Sequence, residues 1–334
     1  MRTFTTRAGR EIPFGPIGFG GAPLGNMHRA LSEEEAQATL MAAWDGGMRY
    51  FDTAPLYGHG LSETRTGAFL RGKTDFLLST KVGRLLEPCA PGEEASGIYK
   101  QTPPVRVRFD YSHDGVLRSF EESRARLGFD KIDILYVHDV DARTHGGRAQ
   151  SEARIDELLK TGGWRALSEL RAAGAVKAVG VGVNDGEPCE RMLASADPDL
   201  FLLAGRYTLL EQGALPLLNS CVGRGVDVVI GGPFNSGILA GRATYDYGAA
   251  PADVTARVQR LDSLCRSHGV PLAAAALRFP LAHPAVVAVL AGAQTPAEVR
   301  ANAALVELPI PSALWQDLRR EALIDESVPV PEGN

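Results

Sequence analysis

Four residues in the first half of the chain have the types and positions to move a proton. Asp52 and Tyr57 lie five residues apart in YFDTAPLYGHG (50–60), Lys81 stands near the end of FLLSTKV (76–82), and His138 stands near the end of DILYVHD (133–139). Each of these stretches begins as a short apolar run of the kind that forms a buried strand. Taken singly, each residue has a structural explanation. Asp52 could cap a turn, Lys81 could extend its amine to solvent, His138 could be a satisfied core histidine, and Tyr57 could simply pack. A buried charge is costly without a partner, however, and none of these strands needs one for stability. Their joint occurrence at the ends of three consecutive strands therefore argues for one shared site. A buried Lys–Asp pair holds an ammonium in place. Beside a phenol, that charge is expected to favour phenolate and lower a pKa of about 10. The imidazole can hydrogen-bond the same substrate oxygen. Such a set suits reversible proton transfer at an alcohol or carbonyl oxygen. It contains no hydride acceptor, so a redox reaction needs a cofactor.

The elements that must position these groups follow one rhythm. Short apolar runs begin near residues 17, 50, 76, 133, 176, 200, 227 and 286, with helical segments between them. Most are continuously apolar, as strands buried on both faces are. Ser32 with Glu35 reads as a helix start and Gly46 as its stop; SHDGVLRSFEESRARLG places Val116, Phe120 and Leu127 on one face. The segment 151–174 is interrupted near Gly162 and Gly163, and Thr295–Pro296 reads as a cap and first helical position. Eight strand–helix units predict an α/β fold, a (β/α)8 barrel, as a single domain over 1–334. A doubly wound sheet is the alternative, but GFGGAPLG (18–25) is not G-x-G-x-x-G and its helix begins late. In a barrel the strand ends converge on one rim, which would bring Asp52, Tyr57, Lys81 and His138 together. Loops at 84–111 and 139–150, and the C-terminal segment, are expected to wall the substrate pocket.

Composition excludes several classes. Of 334 residues, 45% are hydrophobic and 22% charged, and the net charge is −5 with no basic run, which speaks against nucleic acid. No run of about 18 apolar residues suggests a membrane span, and the N-terminus has no apolar signal core. Cys89, Cys189, Cys221 and Cys265 are widely spaced, so neither disulfides nor a zinc site is expected and a cytoplasmic location fits. VHDVDARTH gathers His138, Asp139, Asp141 and His145 without ligand periodicity, so no metal is expected; Asp139 and Asp141 are expected to cap a turn or contact substrate hydroxyls. A monomer or small homo-oligomer is expected.

Five ordered segments resemble the aldo-keto reductase superfamily, over essentially the whole chain. YFDTAPLYGHG, LLSTKVG and IDILYVHD resemble its three catalytic segments, GGPFNSGILAGR (231–242) its strand-seven cofactor loop, and LAGAQTPAEVRANAALV (290–306) its strand-eight cofactor segment. The resemblance implies a barrel, a nicotinamide cofactor, and Asp52, Tyr57, Lys81 and His138 as the catalytic tetrad. It also implies dinucleotide contacts from Gly21, from Gly232, Pro233, Phe234, Gly237, Leu239, Gly241 and Arg242, and from Gly292, Ala293, Glu298 and Asn302, with Asn184 and Arg206 as candidates where the family's pattern is missing. NADPH-using members place a lysine and a small hydroxyl residue at Gly292 and Ala293, and an arginine at Glu298. The absence of those phosphate-binding cations, and the carboxylate of Glu298, imply NAD in preference to NADP; otherwise Glu298 merely suits a first helical turn. The family's serine–asparagine pair after strand five is replaced by Gly182 and Val183, with Asn184 displaced by one. Its strand-six glutamine falls at Ala204 and its strand-seven aromatic at Gly231. Arg206 and Phe234 are left as candidates to hold the nicotinamide.

Within that superfamily GFGGAPLGNM, STKVGRLL, RFDYSHDGVLRSFEES and GRYTLLEQ resemble the NAD-dependent bacterial sugar 1-dehydrogenases, with similarity to L-galactose dehydrogenase and pyridoxal 4-dehydrogenase. These oxidise a cyclic hemiacetal to a lactone. The implied substrate is thus an aldose of the L-fucose, D-arabinose or L-galactose type, oxidised at its anomeric carbon. Pyridoxal hemiacetal and a general aldehyde are the alternatives. A nicotinamide-binding regulatory subunit, and an aldolase using Lys81 as its nucleophile, are readings from other classes.

Overall fold

The eight apolar runs become eight strands that close on themselves: β1 Ile17–Gly20, β2 Tyr50–Asp52, β3 Leu77–Val82, β4 Ile134–His138, β5 Ala178–Val183, β6 Leu200–Ala204, β7 Asp227–Gly231 and β8 Val286–Gly292. In the computed structural model, which describes residues 2–332, every strand pairs in parallel with both neighbours and β8 returns to β1. Parallel neighbours require long crossovers, here largely helical, and the result is a single-domain (β/α)8 barrel. β3, β4 and β5 are buried at every position, which explains their unbroken apolar character.

The helix signals act as expected. Ser32 and Glu35 form a reciprocal capping box before Glu33–Asp45, which ends at Gly46. Ser112 caps His113–Leu127, whose Val116, Phe120 and Leu127 are buried, and the chain leaves through Gly128 at φ 72°. The interrupted stretch splits into Arg148–Lys160 and Gly163–Ala172. A Cβ on Gly163 would lie 2.0 Å from the Tyr111 carbonyl oxygen, so glycine is what lets the second helix approach there. Thr295 caps Pro296–Glu307.

Three features differ from the sequence reading. Residues 84–111 are more than a loop: Arg84–Pro88 and Val105–Phe109 pair as an antiparallel hairpin over the rim. The N-terminal stretch, which carries no strand signal of its own, forms the hairpin Arg2–Thr5 with Glu11–Phe14. Its Phe4, Ile12 and Phe14 join the residues that fill the barrel interior, and the Phe14 ring meets Tyr50 edge-on at 5.1 Å. Third, over its described residues the C-terminal segment does not wall the pocket. Its helix Ser312–Arg320 buries Leu314, Trp315 and Leu318 in the core. The place is taken by a small hairpin after β7, Thr244–Tyr245 with Gly248–Ala249, whose turn carries Asp246 and Tyr247 into the wall.

Candidate active site

The site grows out of a polar ladder inside the barrel. Asp52 sits beside Ser79 in register, and Tyr136 beside Lys81. Because side chains alternate along a strand, Tyr50 and Asp52 share one face, Ser79 and Lys81 another, and Tyr136 and His138 a third. All three faces point inward. Tyr136 and Tyr50 hydroxyls are 3.2 Å apart, and Ser79 Oγ lies 3.0 Å from the Tyr50 hydroxyl. Ser79 Oγ also donates to Asp52 Oδ1 at 2.6 Å, and Lys81 Nζ donates to Asp52 Oδ2 at 2.6 Å and to the Thr53 carbonyl at 2.9 Å. Lys81 is 1% exposed and Asp52 4%. Both carboxylate oxygens and the ammonium are thus engaged, which is what a buried charge pair requires. A lysine held this way is not a free amine nucleophile, so the Schiff-base reading loses its support.

The turn after β2 swings Tyr57 over this pair. A Cβ on Gly25 would lie 2.4 Å from the Gly58 nitrogen, and Gly58 has φ 65°, so the loops after β1 and β2 cross in backbone contact. Ser62 ties them further: its Oγ accepts from Thr53 Oγ1 at 2.8 Å and donates to the Gly21 carbonyl at 2.7 Å. As a result Lys81 Nζ lies 4.6 Å from the centre of the Tyr57 ring, and His138 stands edge-on to that ring at 5.8 Å. All four sequence-predicted residues come together at the rim.

The electrostatics correct one expectation. The Tyr57 phenol is pushed well above the ordinary phenol range, first by burial and then by the Asp52 carboxylate, with Tyr99 and Asp139 adding to it. The sequence reading expected Lys81 to lower it. Lys81 is neutralised at 2.6 Å by Asp52, so the pair acts on the phenol as a dipole more than as a cation. Burial also raises the Asp52 carboxyl, against the opposing pull of Lys81 and Ser79. His138 is driven well below its usual range by burial and then by the nearby Arg84 and Lys81, so it is a neutral imidazole. A protonated phenol and a neutral imidazole facing one cavity can share a substrate oxygen; the phenol can give that oxygen a proton, and takes one from it only after ionising.

Two cavities meet at Tyr57. One, of about 370 Å³, is walled by Tyr57, His59, Arg84, Tyr99, Phe109, His138, Asp139 and Tyr247 among others. The other, of about 660 Å³, is larger and includes Asp52, Tyr57, Gly232, Gly237, Gly292, Glu298 and Asn302 in its walls. Of the sequence-predicted cofactor contacts, Gly21, Asn184, Gly232, Pro233, Phe234, Gly237, Arg242, Gly292, Ala293, Glu298 and Asn302 line this groove. Three do not. Leu239 is 1% exposed in the core. Gly241 closes the turn after it at φ 85°. Arg206 is held by Asp185 at 3.5 Å and Asp246 at 3.3 Å.

The groove fits a dinucleotide. Its walls are rich in glycine and alanine, and the loop after β7 runs through successive left-handed residues, Asn235, Ser236 and Gly237, which turns the backbone sharply there. At the far end Glu298 Oε1 pairs with Arg242 and Oε2 accepts from the Gln294 N–H at 2.8 Å, while Asn302 lies 8% exposed in the wall. Asn184 is already committed: its Nδ2 donates to Asp139 Oδ1 at 3.1 Å and Asp141 Oδ2 at 3.2 Å, and its Oδ1 accepts from the Tyr247 hydroxyl at 3.3 Å. Asp141 fulfils the capping expectation by accepting from the Thr144 N–H at 2.9 Å. Missed by sequence reasoning were Ser79, Arg84, Tyr99 and Tyr247. Ser79 was findable, being two residues before Lys81 on the same strand face; Tyr247 carries no local signal.

Comparison with known proteins agrees with this architecture. A sequence model of the Aldo/keto reductase family matches residues 16–321. The chain is 45% identical to a pyridoxal 4-dehydrogenase of Microbacterium luteolum, over 92% of this chain and 94% of the other. It is 42% identical to a D-threo-aldose 1-dehydrogenase of a Pseudomonas species, over 95% and 96%. Among solved structures, the holo form of the aldo-keto reductase AKR11C1 from Bacillus halodurans superposes with a TM-score of 0.74 at 24% identity, over 98% of each chain, a likeness of fold.

Proposed function

Because the chain belongs to the aldo/keto reductase family, and is an NAD(P)-dependent oxidoreductase, we propose that it oxidises the anomeric carbon of a cyclic aldose to the lactone. The observation that carries this reading is the meeting at Tyr57 of two cavities. One, of about 370 Å³, mixes apolar side chains with Arg84, His138 and Asp139 and is sized for a single small ring, and the other is a larger groove that fits a dinucleotide. A nicotinamide dinucleotide in that groove supplies the hydride acceptor. The chain's own part is proton transfer and positioning. Tyr57, once ionised to the phenolate, takes the anomeric hydroxyl proton, and in the reverse direction the protonated phenol returns it. Neutral His138 holds the same oxygen against the phenol. The Lys81–Asp52 pair fixes the charge behind the phenol, and Ser79 fixes Asp52.

NAD is the proposed cofactor in preference to NADP. Two features support this: Glu298 in the groove wall would repel a 2′-phosphate, and the one arginine lining the groove among the described residues, Arg242, is already paired with that carboxylate. The tetrad, the groove residues named above and a cytoplasmic setting belong to the same proposal. The four cysteines are unpaired, which suits a reducing compartment, and among the described residues no helix is long and apolar enough to cross a membrane.

A second reading is oxidation of pyridoxal hemiacetal, an aromatic substrate that Tyr99, Phe109 and Tyr247 could sandwich; the relative at 45% identity bears that name. The test is NAD reduction with L-fucose, D-arabinose, L-galactose and pyridoxal, with the product identified. Lactone from at least one aldose is expected. Turnover of pyridoxal with none of any aldose would replace the first reading with the second.

A further inference from the structure

The wall of the smaller cavity contains an ion pair that the proton-transfer set does not use. Arg84 Nη2 pairs with Asp139 Oδ2 at 2.6 Å, and both residues are 7% exposed. Burying such a pair costs more than it returns unless its remaining donors and acceptors are satisfied. They are not all satisfied here. Arg84 Nε is buried without an acceptor, and so, in the same wall, are His138 Nδ1 and His59 Nδ1 without partners. Those atoms are closed off from solvent, but Arg84 and Asp139 themselves line the smaller cavity beside His138, so a ligand there meets a charged pair that is already desolvated.

The pair is also placed with care. The Arg84 guanidinium lies 4.6 Å over the Phe109 ring, which fixes its plane. Asp139 adopts φ 49°, in the left-handed region that aspartate tolerates better than most non-glycine residues. The Tyr111 hydroxyl donates to the His138 carbonyl at 2.8 Å, and Asn184 Nδ2 holds Asp139 Oδ1. Asp139 Oδ2 lies 3.2 Å from His138 Nε2, so the pair is directly beside the residue that would hold the reacting oxygen.

We propose that Arg84 and Asp139 read the hydroxyl on the carbon next to the anomeric one, and so select a polyhydroxylated ring over an aromatic hemiacetal. Arginine only donates and an ionised aspartate only accepts. A neutral hydroxyl does both and can satisfy the two at once. The phenolate of pyridoxal can accept from Arg84 but has no proton to give Asp139, which repels it. This inference rests on the aldose reading above and names the residues that select the substrate within it.

The test pairs a substrate deletion with a residue deletion. In the wild-type enzyme, L-fucose should exceed 2-deoxy-L-fucose in kcat/KM by about tenfold or more, the usual worth of a hydrogen bond to a charged group. In Arg84→Met that ratio should fall to near one, because the partner is already gone. Asp139→Asn should raise kcat/KM for pyridoxal relative to L-fucose. NADH fluorescence on binding reports whether each variant retains a folded groove, and Arg84→Leu serves if the methionine variant does not. A deoxy penalty unchanged in a folded Arg84 variant overturns the role of Arg84 and leaves the aldose reading standing. Wild-type enzyme that oxidises pyridoxal but no aldose overturns both.

Discussion

Replacing Asp52 by asparagine removes one charge from the most deeply buried ion pair of the site and leaves Lys81 without its counter-charge. The side chains are 1% and 4% exposed, so water cannot take over the lost interaction. Removing one partner of such a pair costs about 3–5 kcal/mol. With an unfolding entropy of about 2.1 cal/mol/K per residue, the 334-residue chain has about 0.7 kcal/mol/K at its midpoint. The expected fall in Tm is therefore about 4–7 °C, toward the lower end because asparagine still accepts one hydrogen bond. The double variant Asp52→Asn with Lys81→Met removes the stranded charge and should recover most of that loss, since an apolar replacement of a buried pair is often neutral. Turnover should recover in neither. Differential scanning calorimetry of the cofactor-free protein measures the first effect, and initial rates measure the second. A fall of less than about 1 °C in the single variant, or a double variant no more stable than the single one, would refute the account of the pair.

Two further outcomes follow from the groove and the phenol. Tyr57→Phe should bind NADH normally but lose about 100- to 10,000-fold in oxidative turnover; because burial and Asp52 raise the phenol, wild-type oxidation should climb with pH through about 10 without levelling as the phenolate fraction grows, whereas a flat profile from about pH 6 to 10 would count against a phenol base. Glu298→Gln should tighten NADPH relative to NADH by about tenfold: it frees Arg242 for a charge-assisted contact of about 1.5–3 kcal/mol and gives up an exposed ion pair of about 0–1 kcal/mol. Fluorescence titration with both nucleotides reads the ratio directly, and an unchanged ratio would remove Glu298 from the account of cofactor choice.

Much of the site was legible because its parts are local. A strand buried on both faces announces itself as a short apolar run, and a polar residue at its end stands out against it. Asp52, Lys81 and His138 were visible for that reason, and Tyr57 by its place in the turn that follows. The capping pair Ser32–Glu35 and the cap Thr295 are likewise signals within one helical turn. Arg84 and Tyr247 were not legible. Arg84 begins a hairpin that reads as loop, and Tyr247 reaches the cavity from a turn after β7. Arg206 was named only as a candidate to hold the nicotinamide; its guanidinium pairs with Asp185 and Asp246, partners that lie far from it in the chain.

The amino-acid sequence by itself determined the eightfold alternation, the barrel and the order in which the four rim residues occur. Those follow from periodicity and from the chemistry of strand ends, which act over a few residues. Tertiary structure alone decided which charges are spent on one another. Lys81 meets Asp52 across 29 residues, and Arg84 meets Asp139 across 55. Those pairings set how much field reaches Tyr57, and burial then raises a phenol that the lysine was expected to lower. Electrostatic energy depends on distance and on exclusion of water, and neither is written into the spacing of residues along the chain.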